Sequence, residues 1–191
     1  MGHDYEYFCN FAANMKICVF CSANQQIDPD FFTMAEELGT WAAKNGYSIV
    51  YGGVNLGLME CIAKATKEAG GCTIGIIPVI VEKRGHLSEY VDVDIPCDNL
   101  SDRKQLMMDR SDVFIALPGG LGTLDEIFTV VASATIGYHQ KTVILYNMKG
   151  FWDSLVQLLD DLKQKGMIRG DWQDYIKTAD SIEGVCALLN G

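Results

Sequence analysis

Two glycine-rich turns follow short apolar runs in this 191-residue chain, at residues 52–57 (GGVNLG) and 118–123 (PGGLGT). Glycine lets the backbone approach an oxyanion closely, and a helix that starts after such a turn presents unsatisfied N–H groups and a positive dipole end. Thr123 adds a hydroxyl donor to the second turn. The pattern predicts a cradle for an anion such as phosphate.

Neither turn has the spacing of a common nucleotide-binding motif. A P-loop needs Lys followed by Ser or Thr after its last glycine, where the first turn has Leu58, and the second turn lacks G-x-G-x-x-G spacing. For one turn alone, the simpler interpretation is that the glycines only permit a tight bend. Two such turns at one edge of a sheet favour a binding site.

Two acidic residues, Asp125 and Glu126, come just inside the helix expected after the second turn. Acidic side chains in a first turn are stabilised by the helix dipole, and this accounts for Asp125. Adjacent helical residues point about 100° apart, so one of the pair can face the crevice while the other faces solvent. Glu126 is therefore a candidate catalytic carboxylate.

The elements that must position these groups alternate along the chain. Strands are predicted at 16–21, 47–51, 72–77, 113–117 and 142–146, and helices at 29–45, 58–69, 99–110, 122–136, 151–165 and 182–189. This alternation predicts an α/β fold, a Rossmann-like doubly wound parallel sheet in a single domain, with the ligand crevice at the carboxyl ends of its strands. Residues 79–97 fit less well, with one strand-like piece (YVDVDI) in a long connection.

Composition excludes several classes of protein. The chain has the length of one domain and is 49% hydrophobic, which is enough to form a hydrophobic core. Its 15 Lys+Arg against 25 Asp+Glu give a net charge of −10, which disfavours nucleic-acid binding. No apolar run approaches the ~20 residues of a membrane span. Residues 1–14 lack signal-peptide features, so we expect an N-terminal extension at 1–14, a domain at 15–191 and a soluble, cytoplasmic protein.

The seven cysteines are odd in number and scattered, which is not the pattern of a disulfide framework. Cys18 and Cys21 form a C-x-x-C inside an apolar run, but no second pair accompanies them. We interpret them as small buried side chains and predict no metal site.

Residues 118–126 (PGGLGTLDE) match the signature PGGxGTxxE, in which six of nine positions are fixed. On these residues the chain resembles the Lonely Guy (LOG) family, cytokinin riboside 5′-monophosphate phosphoribohydrolases once labelled lysine decarboxylases. The resemblance runs from about residue 17 to 168, through Cys-Ser at 21–22, Tyr-Gly-Gly at 51–53, Asp-Arg-Lys at 102–104 and Gly-x-His at 137–139.

The resemblance implies a homodimer that needs no cofactor and hydrolyses the N-glycosidic bond of N6-substituted adenosine 5′-monophosphate (AMP) to free base and ribose 5-phosphate. It implies Arg103 and Glu126 as the catalytic pair. The implied substrate-binding positions are Ser22, Gly53, Lys104, Gly119, Gly120, Leu121, Gly122 and Thr123. Glycoside cleavage passes through an oxocarbenium-like state, which a carboxylate stabilises while a cation or donor assists the departing base.

Several positions depart from the family pattern. Val54 and Glu60 stand where the family has glycine, and Ala132-Ser133 replaces Thr-Trp in the helix after the signature. Loss of the tryptophan changes the volume expected near the base substituent, with Ser133 and Thr135 offering polarity instead. The identity of the N6 group is left open.

Other interpretations of the same residues stay open. Taken by themselves, Arg103 and Lys104 are typical of solvated charges on a helix. His139 is typical of a residue that packs in the structure or caps a helix. A non-catalytic carrier or sensor would bind the nucleotide without cleaving it, which retention of Arg103 and Glu126 argues against. A decarboxylase would need a lysine that forms an imine with pyridoxal phosphate, and no lysine here has evident support for that role.

Overall fold

The structure is a computed structural model that describes residues 15–80 and 85–190. The expected extension at 1–14 lies outside the described residues. The described strands are β1 (Lys16–Phe20), β2 (Ser48–Tyr51), β3 (Cys72–Pro78), β4 (Val93–Cys97), β5 (Val113–Ala116), β6 (Val143–Tyr146) and β7 (Ile176–Ala179). They form one sheet in the order β4-β3-β2-β1-β5-β6-β7, and every neighbouring pair is parallel.

Helices cover both faces of this sheet. The described α-helices are α1 (Pro29–Lys44), α2 (Gly57–Glu68), α3 (Leu100–Asp109), α4 (Leu121–Thr135), α5 (Asp153–Gln164) and α6 (Ile182–Asn190). Helices α1, α2 and α6 pack on one face, and α3, α4 and α5 pack on the other. The predicted doubly wound, Rossmann-like single domain is confirmed. Among the described residues, no helix is both long and apolar enough to cross a bilayer.

The two edge strands are where the sequence-based prediction is wrong. Strand β4 lies at Val93–Cys97, shifted from the strand-like piece at 90–95, and β7 is not predicted at all. Both strands have neighbours on one side only, and each exposes residues within its length. An edge strand tolerates exposed residues and even proline, here Pro96, so its apolar pattern is weak.

Strand β1 is the point where the strand order changes direction. The chain builds outward through β2, β3 and β4 on one side and through β5, β6 and β7 on the other. The two glycine turns follow β2 and β5, so they flank the carboxyl end of β1. Parallel α/β sheets bind ligands at such a switch point.

Backbone hydrogen bonds join the end of β1 to both glycine turns. The Ser22 N–H donates to the Pro118 carbonyl at 3.0 Å, and the Leu58 N–H donates to the Ser22 carbonyl at 2.9 Å. Gly57, which closes the first turn, has a φ of +56°, and a Cβ there would lie 2.5 Å from the backbone of Ala23. The first turn therefore needs glycine at this position in order to meet the chain after β1.

Most described cysteines are free thiols, as expected of small buried side chains: Cys18, Cys21, Cys61, Cys97 and Cys186. Cys18, Cys21 and Cys97 are buried, and the other two are partly buried. Cys72, at the start of β3, is disulfide-bonded, which the sequence analysis does not predict.

Asn147 fixes the segment that follows β6 beside the end of β5. Its Oδ1 accepts a hydrogen bond from the Trp152 N–H at 2.7 Å, and its Nδ2 donates to Asp153 at 2.8 Å and to Asp180 at 3.1 Å. The Trp152 Nε1 in turn donates to the Ala116 carbonyl at 3.1 Å. Asn147 thus ties three elements together at the carboxyl edge of the sheet.

We predict that Asn147→Ala lowers the free energy of unfolding by about 1–3 kcal/mol, because it leaves the buried Trp152 N–H without its acceptor. Urea denaturation measures this loss. Gln157→Ala is the control, since Gln157 makes only an exposed bond to Asp161 and should cost less than about 0.5 kcal/mol. Equal losses in the two variants would contradict the role assigned to Asn147.

Candidate active site

The second glycine turn forms an anion cradle at the start of α4. Gly120 precedes the helix, and no side chain caps its first N–H groups, which leaves them available to an anion. A Cβ at Gly119 would lie 2.1 Å from Oγ1 of Thr123, so the bare glycine lets the turn wrap around this hydroxyl. Leu121 is 86% exposed at the mouth of the cradle, and Gly122 has open space beside it.

A cavity of about 240 Å³ adjoins the cradle. Its lining residues follow β1, β5 and β6 or belong to α1: Ser22, Asn24, Ile27, Phe31, Pro118, Gly119, Gly120 and Phe151. The rings of Phe31 and Phe151 meet edge to face with centroids 5.8 Å apart. The Ser22 Oγ accepts the Asn24 N–H at 3.0 Å. Its own hydrogen has no acceptor among the described residues and is available to a ligand. Polar donors beside an apolar wall suit a phosphorylated organic molecule.

Arg103 reaches from the first turns of α3 across the ends of β3 and β2. Its Nε donates to the Ile76 carbonyl at 3.2 Å. Its Nη2 is buried and has no hydrogen-bond partner among the described residues. A buried donor left unpaired costs free energy, so this atom is well suited to meet an acceptor on a ligand.

Glu126 lies in the second turn of α4 and is partly buried. Burial raises the pKa of Glu126 from 4.5 to about 7, although the Arg103 guanidinium lowers it. The charge of Asp125 raises the same pKa further, and that of Lys104 lowers it. A carboxyl that titrates near neutral pH is suited to acid–base work or to charge stabilisation.

The charge of Glu126 acts on two buried thiols, one in β1 and one just after it. Burial raises the pKa of both Cys18 and Cys21 well above the ordinary value, and the charge of Glu126 adds to the increase in each case. The charge of Arg103 lowers the pKa of both thiols. The charges of Glu126 and Arg103 therefore both act at the carboxyl end of β1.

Asp125 is exposed and forms an ion pair with Lys104. The Lys104 Nζ lies 2.8 and 2.9 Å from the two carboxylate oxygens of Asp125. Because α4 begins at Leu121, Asp125 stands in the second turn. The ion pair with Lys104, and not the helix dipole, therefore accounts for an aspartate at this position. Any contact between Lys104 and a phosphate would have to compete with Asp125.

Gly53 contributes to the first turn through its backbone conformation. It is buried with a φ of +68°, and a Cβ there would lie 2.4 Å from the side chain of Ile77. The structure thus brings the cradle, Ser22, Arg103 and Glu126 to one edge of the sheet, with Gly53 in the neighbouring turn.

The hydroxyls of Ser133 and Thr135 both donate hydrogen bonds within α4. Ser133 Oγ donates to the Thr129 carbonyl at 2.8 Å, and Thr135 Oγ1 donates to the Ala132 carbonyl at 2.8 Å. Helical Ser and Thr readily donate to carbonyls of the preceding turn. The hydroxyl oxygens keep acceptor capacity, so the polarity expected at these positions stays a prediction.

Four residues of the cavity escaped the sequence analysis: Asn24, Ile27, Phe31 and Phe151. The two phenylalanines meet across 120 residues of chain, and no local pattern marks that contact. His139 packs near Phe114 and accepts the Lys141 N–H at 3.2 Å, as expected of a structural residue. Within residues 15–80 and 85–190, no group of three or more His, Cys, Asp or Glu side chains could hold a metal ion.

The fold and these features define a class of protein. It is a Rossmann-like α/β protein with a glycine-rich anion cradle at its switch point and a partly buried carboxyl and guanidinium at the same edge of the sheet. Such a site suits a phosphorylated ligand whose reacting atom develops positive charge.

Comparisons with known proteins narrow this class to a family. The profile of the family described as "possible lysine decarboxylase" matches residues 59–189. The chain is 35% identical over 164 residues to the cytokinin riboside 5′-monophosphate phosphoribohydrolase LOG3 of Arabidopsis thaliana, covering 86% of this chain and 76% of that one. Its identity to the cytokinin riboside 5′-monophosphate phosphoribohydrolase of Mycobacterium tuberculosis is 32% over 174 residues, covering 91% and 92%. The chain belongs to this family, the Lonely Guy family.

A solved structure shares the fold closely. The Moco carrier protein from Chlamydomonas reinhardtii superposes with a TM-score of 0.70 at 27% identity, over 92% of this chain and 95% of that one. The family resemblance and the fold class inferred from the sequence are both confirmed.

We predict that Glu126 destabilises the protein as the pH rises. Its native pKa of about 7 exceeds the ordinary 4.5, so the native state binds more protons than the unfolded state between those values. Stability from this group is therefore lost as the pH rises through that window. The unfolding free energy of the native protein relative to that of Glu126→Gln should fall by about 1–3 kcal/mol between pH 5 and pH 8.

Urea denaturation of both proteins at each pH measures this difference, and comparing two pH values cancels the fixed cost of burying an amide. A difference that stays constant with pH would show that the carboxyl of Glu126 is not poorly solvated.

Proposed function

We propose that this protein hydrolyses the N-glycosidic bond of AMP, including N6-substituted AMP, to give the free base and ribose 5-phosphate. The observation that carries the proposal is that α4 presents uncapped N–H groups in its first turn and, one turn on, a carboxyl that feels the charge of Arg103. The names of the two relatives described above support the reaction class. No cofactor enters the proposed reaction.

The cradle holds the 5′-phosphate. The first N–H groups of α4, from Gly120 to Thr123, bind its oxygens with help from the positive end of the helix. The hydroxyls of Thr123 and Ser22 supply further donors. Binding at this point fixes the ribose next to the second turn of α4, where Glu126 lies.

Glu126 and Arg103 act on the anomeric carbon and the base. As the bond to the base breaks, positive charge develops on the ribose, and the ionised carboxylate of Glu126 stabilises it or takes a proton from the attacking water. The Arg103 Nη2 donates a hydrogen bond to the departing base. Water supplies the hydroxyl of ribose 5-phosphate and the hydrogen that the base carries away.

Replacement of Glu126 tests this assignment against a neighbour of the same type. We expect Glu126→Gln to reduce release of base from N6-isopentenyl-AMP at least ~100-fold, because an amide can neither stabilise positive charge as well nor accept the proton. Asp125→Asn is the matched control, since Asp125 pairs with Lys104. It should keep about the native rate at about pH 8, where Glu126 is already mostly ionised in the native protein and the loss of the Asp125 charge only favours that form. Chromatography of base and ribose 5-phosphate measures both.

Equal loss of activity in the two variants would remove Glu126 from its proposed role. Because Glu126 acts in its ionised form, the native rate should also rise with pH through about 7. A rate that falls over that range would mean that the protonated acid is the active form.

A non-catalytic carrier is the second candidate, favoured by the likeness to the Moco carrier protein. It would bind the nucleotide at the same cradle and leave the glycosidic bond intact. Calorimetry measures binding of the nucleotide, and chromatography shows whether it is cleaved. A nucleotide that binds but is recovered unchanged would favour the carrier function over hydrolysis.

We further propose that the protein acts as a cytoplasmic homodimer, has no nucleic-acid partner and releases active cytokinin bases. The net charge of −10 is unfavourable for nucleic acid. For the dimer, the support is apolar surface on and next to α4, where Phe128 and Ile136 are 39% and 68% exposed. They line an apolar groove of about 520 Å³ together with Met167, which is 71% exposed. Exposed apolar patches of this kind mark association surfaces.

We expect the native protein to sediment as a dimer and Ile136→Glu to sediment as a monomer, because a charge would be buried at the contact. Leu158→Glu is the control, since Leu158 is exposed on α5 and does not line the groove. A native monomer, or a dimer that survives Ile136→Glu as well as Leu158→Glu, would contradict this surface.

A further inference from the structure

We propose that Gly52 is a positioning residue: the space left by its missing side chain is where the guanidinium of Arg103 lies. Gly52 follows β2, whereas Arg103 comes from α3, so the contact joins two distant parts of the chain. The consequence for catalysis rests on the function proposed above. The consequence for the placement of Arg103 holds whatever reaction the protein performs.

The spacing leaves no room for any side chain at position 52. A Cβ on Gly52 would lie 2.0 Å from Nη2 of Arg103, 3.2 Å from its Cζ and 3.0 Å from Sδ of Met59. Close-packed interiors do not allow such overlap, so the guanidinium would have to leave its position. The end of the Met59 side chain could adjust with less disturbance.

Position 52 requires glycine because a side chain there would overlap its neighbours, and not because of its backbone angles. Gly52 is absent from the glycines with positive φ, unlike its neighbour Gly53 at +68°. Alanine could therefore adopt the backbone conformation of residue 52 without strain. The effect of Gly52→Ala should come from steric displacement of its neighbours.

The guanidinium is fixed on its other side by a single hydrogen bond. Nε of Arg103 donates to the Ile76 carbonyl at the end of β3, while Nη2 lies against Gly52 and has no partner among the described residues. Displacement from Gly52 would break this arrangement and move the free N–H away from an incoming base. Gly52 thus determines where the charge of Arg103 stands.

The charge of Arg103 also acts on Glu126. Three charged groups shift the pKa of Glu126: Arg103 and Lys104 lower it, and Asp125 raises it. The charge of Glu126 in turn raises the pKa of the buried thiols of Cys18 and Cys21. Moving the guanidinium away would raise the pKa of Glu126 further. A neutral substitution at residue 52 would then shift the pH at which activity appears.

The first test needs no activity. In protein labelled with ¹⁵N-arginine, the Nε–H signal of Arg103, assigned by its loss in Arg103→Lys, should exchange slowly with solvent because Nε donates to Ile76. Gly52→Ala should move that signal and speed its exchange. An unchanged Arg103 signal in Gly52→Ala would overturn the proposal whatever reaction the protein performs.

The second test is a double-mutant cycle on base release from N6-isopentenyl-AMP. Gly52→Ala should lower kcat about 10- to 100-fold with a smaller change in KM, and move the acid limb of the pH–rate profile to higher pH. In an Arg103→Met background the same change should cause no further loss. Gly184→Ala, in α6 with its nearest contact at 3.2 Å, is the control and should leave the rate and profile as in the native protein.

Equal losses from Gly52→Ala in both backgrounds would show that Gly52 does not act through Arg103. If Gly52→Ala fails to fold, the double variant decides, because removing the guanidinium reopens the space. The proposal predicts that the double variant unfolds at higher temperature than Gly52→Ala, and an equally unstable double variant would overturn it. If the native protein releases no base, hydrolysis fails as a function, while the arginine exchange still decides the role of Gly52.

Discussion

The site depends on holding one carboxyl and one guanidinium partly out of water at the carboxyl edge of the sheet. Burial opposes ionisation of Glu126, whereas the nearby charge of Arg103 favours it, and the balance leaves the carboxyl titrating at about 7. The Nη2 of Arg103, buried without a hydrogen-bond partner among the described residues, also costs free energy at this edge of the sheet. A folded chain tolerates such costs where they prepare a group to meet a ligand.

The topology explains how two helices can hold this pair. Strand β1 lies at the switch point, so α4, which follows β5, and α3, which precedes it, converge beside the end of β1. Helix α4 carries both the cradle and Glu126. A rise of 1.5 Å per residue sets Glu126 roughly 4–6 Å along the axis from Gly122 and Thr123. One nucleotide can span that distance from its phosphate to its anomeric carbon.

Much of this arrangement could be predicted from sequence because it is local. Strand and helix periodicity, the cradle at 118–123 and the separation of Glu126 from Asp125 all follow from spacing along the chain. The weak edge strands, the Phe31–Phe151 wall and the space at Gly52 for Arg103 could not be predicted. Each depends on residues far apart in sequence, whose contact leaves no periodic pattern.

The most direct test of the account is a crystal structure of the Glu126→Gln protein with AMP bound. The account predicts phosphate oxygens within hydrogen-bond distance of the N–H groups from Gly120 to Thr123. It also predicts that the anomeric carbon faces residue 126 and that Nη2 of Arg103 lies within hydrogen-bond reach of the adenine. A phosphate bound elsewhere, or a glycosidic bond pointing away from Arg103 and residue 126, would contradict the account.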